Sequence, residues 1–366
     1  MLGSILIFLA VLSVLVLVHE LGHFIAAKRA GVWVEEFGFG IPPRIIGKKI
    51  GETIYSLNLL PFGGFVRLHG ESTEEGISAP SRAFLAKSKK TRFFIIIAGV
   101  VMNFVLAISA FGLIYTFTGV PRVTDNVRIV GVNADSPAQE AGLMDGDLIR
   151  EVDGESVTST RKFIDTVEEK GGNEITLSVQ RGSQMEKISL SPRENPPEGE
   201  GVLGVVITST EIYYAPIWQR PAIGAYYGLQ EAIFWGKTVI EGFIMIFSQL
   251  FVGRLPQDVA GPVGIFALTS QAASFGIVAL VNFVGILSVN LAILNVLPFP
   301  ALDGGRLLFI IIESVIGRRV TPKIEAAIHA AGMIILIFLI LAITAHDVER
   351  LISAGGISGF VDSVFK

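Results

Sequence analysis

The chain has 366 residues, 51% of them hydrophobic and only 17% charged, and its mean hydropathy is +0.61. A soluble domain carries about 25% charged residues, so a wholly water-soluble protein is excluded and a membrane protein with a smaller soluble part is implied. The net charge of −4 argues against a nucleic-acid partner, and the lack of cysteine excludes disulfides, thiolate metal ligands and a thiol nucleophile.

Residues 1–27 read as a first membrane span. The opening MLGS lacks the positive region of a cleaved signal peptide and runs straight into the apolar stretch, so the span is expected to be retained. Within it stands LVLVHELGHFIAA, Leu15 to Ala27. On a helix His19 and His23 share one face, about 6 Å apart along the axis, and two imidazoles so placed can bind one tetrahedral metal ion. Glu20, one step round, can serve as general base for the attacking water. The alternative is a chance match in which both histidines are satisfied core residues. Against it, ionisable side chains within a span are costly and usually functional.

Residues 28–92 form a strand-like region, cytoplasmic or re-entrant in the membrane, with too many Gly and Pro for long helices. Ile54, Tyr55, Ser56, Leu57 and Asn58, continuing to Leu60, read as an edge strand that ends near the Gly63–Gly64 turn. A bare β-edge is not tolerated in lipid unless it lines a cavity or finds a partner. The expectation is that this strand lies near the metal and pairs with an unwound substrate; the alternative is a cytoplasmic cap.

Residues 93–118 make the second span. From 122 to 192 the sequence turns soluble: a strand, a short helix capped at Ser136, a Gly-Asp turn and a second strand ending in Asp-Gly. An amphipathic helix over Arg161 to Lys170 follows, then a hairpin of Ile175–Gln180 with Glu186–Leu190. The run from Ser136 to Gly154 carries every feature of SPAxxAGLxxGDxIxxVDG and resembles a bacterial PDZ domain. Such domains take extended peptide ends by strand addition; the alternative is a steric filter that excludes bulky ectodomains. Residues 193–275 are expected to be a linker with helices along the membrane surface, Glu231, Lys237 and Glu241 forming the polar face of 222–252. Residues 253–264 read as a Gly/Pro loop.

The third span covers 276–297, and Pro298 and Pro300 end it at membrane depth. Residues 298–327 hold LDGG and a cytoplasmic loop, 328–345 the fourth span, and 346–366 an outer tail. Lys and Arg cluster after the first span, before the second and between the third and fourth. Those loops are therefore cytoplasmic, and both termini and the inserted domain face outward. Asp303 is either the third metal ligand or an ordinary Asp-Gly turn. His69, His329 and His346 have no comparable setting. If residues 222–252 lie flat, the first and third spans run in the same direction and Asp303 meets the histidines, which favours the ligand. Asn103 and Asn290 are expected to bond between helices.

HELGH in the first span, the PFGGF loop, the PDZ-like insert and NVLPFPALDGG together resemble the bacterial site-2 proteases, the intramembrane zinc metalloproteases, in their single-PDZ branch. The resemblance implies a multi-pass α-helical membrane protein of the bacterial cytoplasmic membrane. It would have four transmembrane helices, a membrane-associated β-hairpin region and one inserted α+β PDZ domain. It further implies one Zn2+ per chain on His19, His23 and Asp303, with Glu20 as base, and Asn295 and Pro298 against substrate backbone. The substrates implied are single-span membrane proteins, such as anti-sigma factors or signal-peptide remnants, cut within or near the span. The partners are then these substrates, peptide ends or ectodomains at the PDZ domain, and the lipid bilayer, with no nucleic acid. Two rival classes are a metal transporter, which needs no base beside His19, and a non-catalytic PDZ scaffold, which would tolerate any residue at position 20.

Overall fold

In the computed structural model, residues 2–71, 77–252, 260–318, 320–356 and 359 are described. The chain divides into two compact units, Met1–Phe117 with Ile217–Lys366, and Thr118–Pro216.

Among the described residues of the first unit, four helices are long and apolar enough to cross a membrane: α1 (Leu2–Arg29), α2 (Lys89–Thr118), α7 (Ile277–Val296) and most of α9 (Pro322–Ser353). α1 ends where Gly31 takes a left-handed φ of 66°, with Lys28 and Arg29 in the last turn favourably placed near its carbonyl end. α7 stops at Val296 because Leu297, preceding Pro298, is held extended with ψ 138°. Residues 303–316, expected as loop, form a further helix, α8 (Asp303–Ile316). Gly304 and Gly305 permit it. A β-carbon at Gly304 would lie 2.0 Å from the Leu297 carbonyl oxygen, and one at Gly305 2.6 Å from that of Phe299.

Between α1 and α2 lie two long antiparallel strands, β1 (Val34–Ile50) and β2 (Thr53–Leu68). Each is bent and doubles back, so segments lie side by side in the order 64–68, 34–39, 53–58, 44–50. Arg44, Ile46 and Lys48 pair with Asn58, Leu57 and Tyr55, while Phe37 and Phe39 lie beside Tyr55 and Leu57 from the other side. Ile54, Tyr55, Ser56, Leu57 and Asn58 are thus interior to the sheet, and the expectation of an edge strand there is corrected. The physical reason is the turn near Gly40, whose left-handed φ of 82° lets 44–50 fold back onto the strand. Two segments are paired on one side only, 44–50 and 64–68, and the latter meets 34–39 through Val34–Leu68, Phe37–Val66 and Phe39–Gly64. Glu52, in the hairpin turn, is held by Lys28 (2.6 Å) and Arg82 (2.7 Å). Those hydrogen bonds and charges hold its carboxyl down at about 2 and fasten the sheet to the end of α1.

Of residues 222–252, all but Val252 fall in α5 (Arg220–Phe251), which does not lie apart as a surface helix. It runs antiparallel beside α2: a β-carbon at Gly224 would sit 2.2 Å from Thr116 Oγ1, and one at Gly228 2.5 Å from the Gly112 nitrogen. Ala232 packs with Ala107 and Phe111 of α2 and Val289 of α7. Glu231, expected on the water-facing side, instead accepts from Tyr115 Oη (3.0 Å) and Trp235 Nε1 (3.1 Å). Small residues let the backbones approach, and a polar pair joins the helices, as at membrane helix crossings. Most of the 253–264 loop lies outside the described residues.

The direction of α7 does not depend on α5. The preceding helix α6 (Pro262–Ser274) touches the N-terminal end of α1 through Ser270–Ser4 (3.1 Å) and Phe266–Phe8 (5.6 Å between ring centroids). α7 therefore starts at that end and runs with α1, carrying its proline terminus to the HELGH turn.

The second unit contains β3 (Val120–Val132), α3 (Pro137–Glu140), β4 (Leu148–Val152), β5 (Glu155–Ser156), α4 (Thr160–Glu169), β6 (Ile175–Arg181), β7 (Gln184–Leu190) and β8 (Val205–Tyr213). The sheet order is β7-β6-β4-β3-β8, with β5 on β4. Ser136 caps α3, and α4 and the β6–β7 hairpin lie where the sequence places them. Strand β8 does not: a linker is expected from residue 193, yet 205–213 pair with β3 and complete the sheet. Fourteen buried apolar side chains, Val127, Ile129, Ile149, Phe163 and Leu177 among them, form the core. The Gly146-Asp147 turn is locked by Asp147, 1% exposed, which accepts from Met144 N (3.0 Å) and pairs with Arg181 (2.7 Å). Burial raises that carboxyl, but the Arg181 bond outweighs it and the net shift is downward.

Candidate metal centre

His19 and His23 project from one face of α1 and Asp303 from the first turn of α8. His19 Nε2 is 3.0 Å and His23 Nε2 3.1 Å from Asp303 Oδ2, and the two nitrogens are 3.2 Å apart. Tetrahedral zinc with ligands at about 2.0–2.1 Å separates them by about 3.3 Å, so the triangle suits a zinc ion with little adjustment. Asp303 Oδ2 is buried with no hydrogen-bond partner, although an anionic oxygen with nothing to accept from is expensive to bury. A two-His, one-carboxylate set leaves a fourth position open, as catalytic zinc sites do. The residues fit the ion.

Each histidine is oriented from α2. His23 Nδ1 donates to the Ile95 carbonyl (2.9 Å), which leaves Nε2 with a lone pair for a metal. His19 Nδ1 lies 3.3 Å from the Asn103 carboxamide nitrogen, while Asn103 Oδ1 is buried without a partner. Amide nitrogen and oxygen exchange places by a simple flip, which gives His19 Nδ1–H an acceptor and satisfies both groups. Gly99 lies between: a β-carbon there would be 2.4 Å from His23 Nε2 and 2.8 Å from His19 Cε1. Ile95, Gly99 and Asn103 recur every four residues and so form one stripe facing the histidine pair. Asn103, expected only to bond between helices, does that through its carbonyl, which accepts from Ser288 Oγ (2.7 Å), and its side chain also lies against His19 of the candidate site.

Asp303 is aimed by the turn before it. Ala301 has φ 82°, a conformation that costs a side-chain-bearing residue about 1–2 kcal/mol. Two contacts hold it: Ala301 N–H donates to His329 Nδ1 (3.0 Å), and Gly332 of α9 approaches Pro300, where a β-carbon would be 2.3 Å from Pro300 Cβ.

A cavity of about 650 Å³ opens beside the triad, lined by Glu20, His23, Asp303, Phe65, Arg306 and His329 among others. Gly64, whose β-carbon position is 3.6 Å from Glu20 Cγ, brings the one-sided strand segment 64–68 alongside. Arg306 is paired with Glu71. Of the other substrate-contact candidates, Asn295 is buried on α7 and Pro298 is exposed, and neither lines this cavity. The strand 54–58 does not line it either. His69 uses both ring nitrogens, on Glu35 (2.7 Å) and Ala79 N (3.2 Å), as befits a structural residue. His329, set aside on sequence grounds, is in the cavity wall.

Comparison with known proteins adds a family. The model of peptidase family M50 matches residues 7–339. A Clostridium perfringens protein whose name provisionally assigns it as a zinc metalloprotease is 35% identical over 338 residues, 92% of this chain and 96% of its own. The Bacillus subtilis regulator of sigma-W protease RasP is 30% identical, covering 95% of this chain and 99% of its own. The zinc metalloprotease RasP of Oceanobacillus iheyensis is 28% identical at the same coverage. Among solved structures, a PDZ domain from Listeria monocytogenes is 28% identical over 24% of this chain and 90% of its own, with a TM-score of 0.21. With the family model matching nine-tenths of the sequence and zinc metalloproteases matched over nearly their whole length, the chain is a member of peptidase family M50, a membrane-embedded zinc metalloprotease.

Proposed function

We propose that one zinc ion per chain is held by His19, His23 and Asp303, and that Glu20 is the general base in hydrolysis of a peptide bond within or near the span of a single-span membrane protein. The observation that carries this reading is the triangle of ligand atoms with Glu20 at its side, set between apolar helices rather than at the surface. The chemistry that zinc supplies when bound is Lewis acidity, which makes water nucleophilic at neutral pH and polarises a carbonyl. Glu20 takes the proton from the attacking water and delivers it to the leaving nitrogen as the C–N bond breaks. Asn295 and Pro298, on and after α7, contact substrate backbone further along. The inserted unit has the motif and strand plan of a PDZ domain and faces outward with both termini, as the basic loops require. The Bacillus subtilis relative is named for regulating sigma-W; membrane-anchored regulators such as anti-sigma factors are accordingly proposed substrates here.

A helix cannot be cut while its carbonyls are bonded and its side chains shield the backbone. The segment 64–68, paired on one side and adjacent to Glu20, is the edge to which an unwound substrate adds, taking over the role the sequence suggests for 54–58. In a reconstituted assay with a single-span substrate, product masses are expected to place the cut within or next to the span. Proline at Phe65, Val66 or Arg67 removes an edge donor and is expected to lower cleavage at least about tenfold for one or more positions, with zinc retained. A cut in a soluble segment remote from the span would overturn the intramembrane reading. Unchanged cleavage in all three proline variants would reduce the edge to a wall.

A further inference from the structure

The cavity beside Glu20 holds a hydrogen-bond donor that this chemistry leaves unused. His329 Nδ1 accepts from Ala301 N–H at 3.0 Å. A ring nitrogen that accepts from an N–H carries no proton itself, so the imidazole is neutral with its hydrogen on Nε2. That Nε2 is buried and has no partner. Among the described residues lining the cavity, two side chains contain such an atom, Asp303 Oδ2 and His329 Nε2. The first is explained by the metal, and the second calls for a group with negative or partly negative oxygen. Of the other donor side chains in the wall, His23 is bonded to the Ile95 carbonyl and Arg306 is paired with Glu71. The ring is held still by the Ala301 bond, by Phe309 at 5.7 Å between centroids, and by the close approach of Gly332 to Pro300.

We propose that His329 is a catalytic residue: its Nε2–H donates a hydrogen bond to the oxygen of the scissile carbonyl as that oxygen gains charge. No proton is transferred. The donor is fixed before reaction by the Ala301 bond and its Nε2 is buried, conditions under which such a bond lowers a barrier most. The proposal rests on the zinc-protease reading above, since it requires a carbonyl positioned by that site.

Two substitutions separate this role from anchoring the 301 turn. His329→Asn keeps an acceptor near the Nδ1 position for Ala301 and has no donor near Nε2. His329→Gln places an amide near Nε2 and withdraws the acceptor from Ala301. Removing one donor of this kind costs about 10²–10³-fold. The Asn variant is expected to keep wild-type zinc content and KM while kcat falls about 100-fold. Its affinity for a phosphonamidate peptide, a tetrahedral anionic mimic, is expected to weaken by a similar factor. The Gln variant should recover about tenfold of the lost rate. Wild-type kcat in the Asn variant, zinc loss in step with activity, or a change confined to KM would each overturn the proposal. Failure of the underlying reading would show differently, as full cleavage by Glu20→Gln.

Discussion

Glu20→Gln is expected to purify with about one zinc per chain and to cleave substrate about 10²–10⁴-fold more slowly than the wild type. The amide matches the carboxylate in shape, so its place beside His23, Gly64 and Asp303 stays filled. It has no negative charge and cannot take a proton from water. Glu20 is not one of the three convergent ligand atoms, so metal content is not expected to follow activity down. This also separates the rival classes, because a transporter or a scaffold has no reason to lose function with that exchange. Parallel measurement of zinc by elemental analysis and of product by mass spectrometry decides it; undiminished cleavage would remove Glu20 from the mechanism.

Gly99→Ala is the second large effect. Inside an exposed helix the change is normally favourable by about 1 kcal/mol, because alanine is the better helix former. Here the added methyl would lie 2.4 Å from His23 Nε2, so it contests the position of a ligand atom. The expected outcome is a folded protein, with a melting temperature at or near the wild type, that holds far less zinc and cleaves at least about 100-fold more slowly. Gly236→Ala serves as a control, since nothing lies within 4 Å of a β-carbon there. Wild-type zinc content in Gly99→Ala would mean that α2 can yield and that its close approach is not needed to hold the ligands.

How much of this was legible beforehand depended on whether the signal was local. His19, Glu20 and His23 declare themselves by one helical turn of spacing inside an apolar run. Asp303 could be reached because Pro298 and Pro300 stop α7 and because chain direction is a topological quantity. The strand 54–58 is not the edge its sequence suggests: its composition suits a strand in either position, and only the bend near Gly40, which sets 34–39 on one side of it and 44–50 on the other, decides that both its sides are covered. The same holds for β8, whose partner β3 lies more than seventy residues upstream. Charges in 222–252 suggested a water-facing helix, but Glu231 finds Tyr115 on α2, a pairing no single-helix pattern contains. The contact of Asn103 with His19 and the place of His329 in the cavity wall are not legible for a similar reason, as each arises between helices. The Ile95, Gly99, Asn103 stripe was the one clue in the sequence, a small residue and an amide one turn apart on a neighbouring span.

The most direct test of the central claim is the zinc affinity of Asp303→Ala, measured by competition with a chromogenic chelator on protein purified in detergent. If Asp303 is the third ligand, the variant loses more than the about 10–100-fold that removal of an outer-sphere partner costs, and cleavage disappears with the metal. Zinc bound at wild-type affinity in Asp303→Ala would contradict the account, whatever became of the activity.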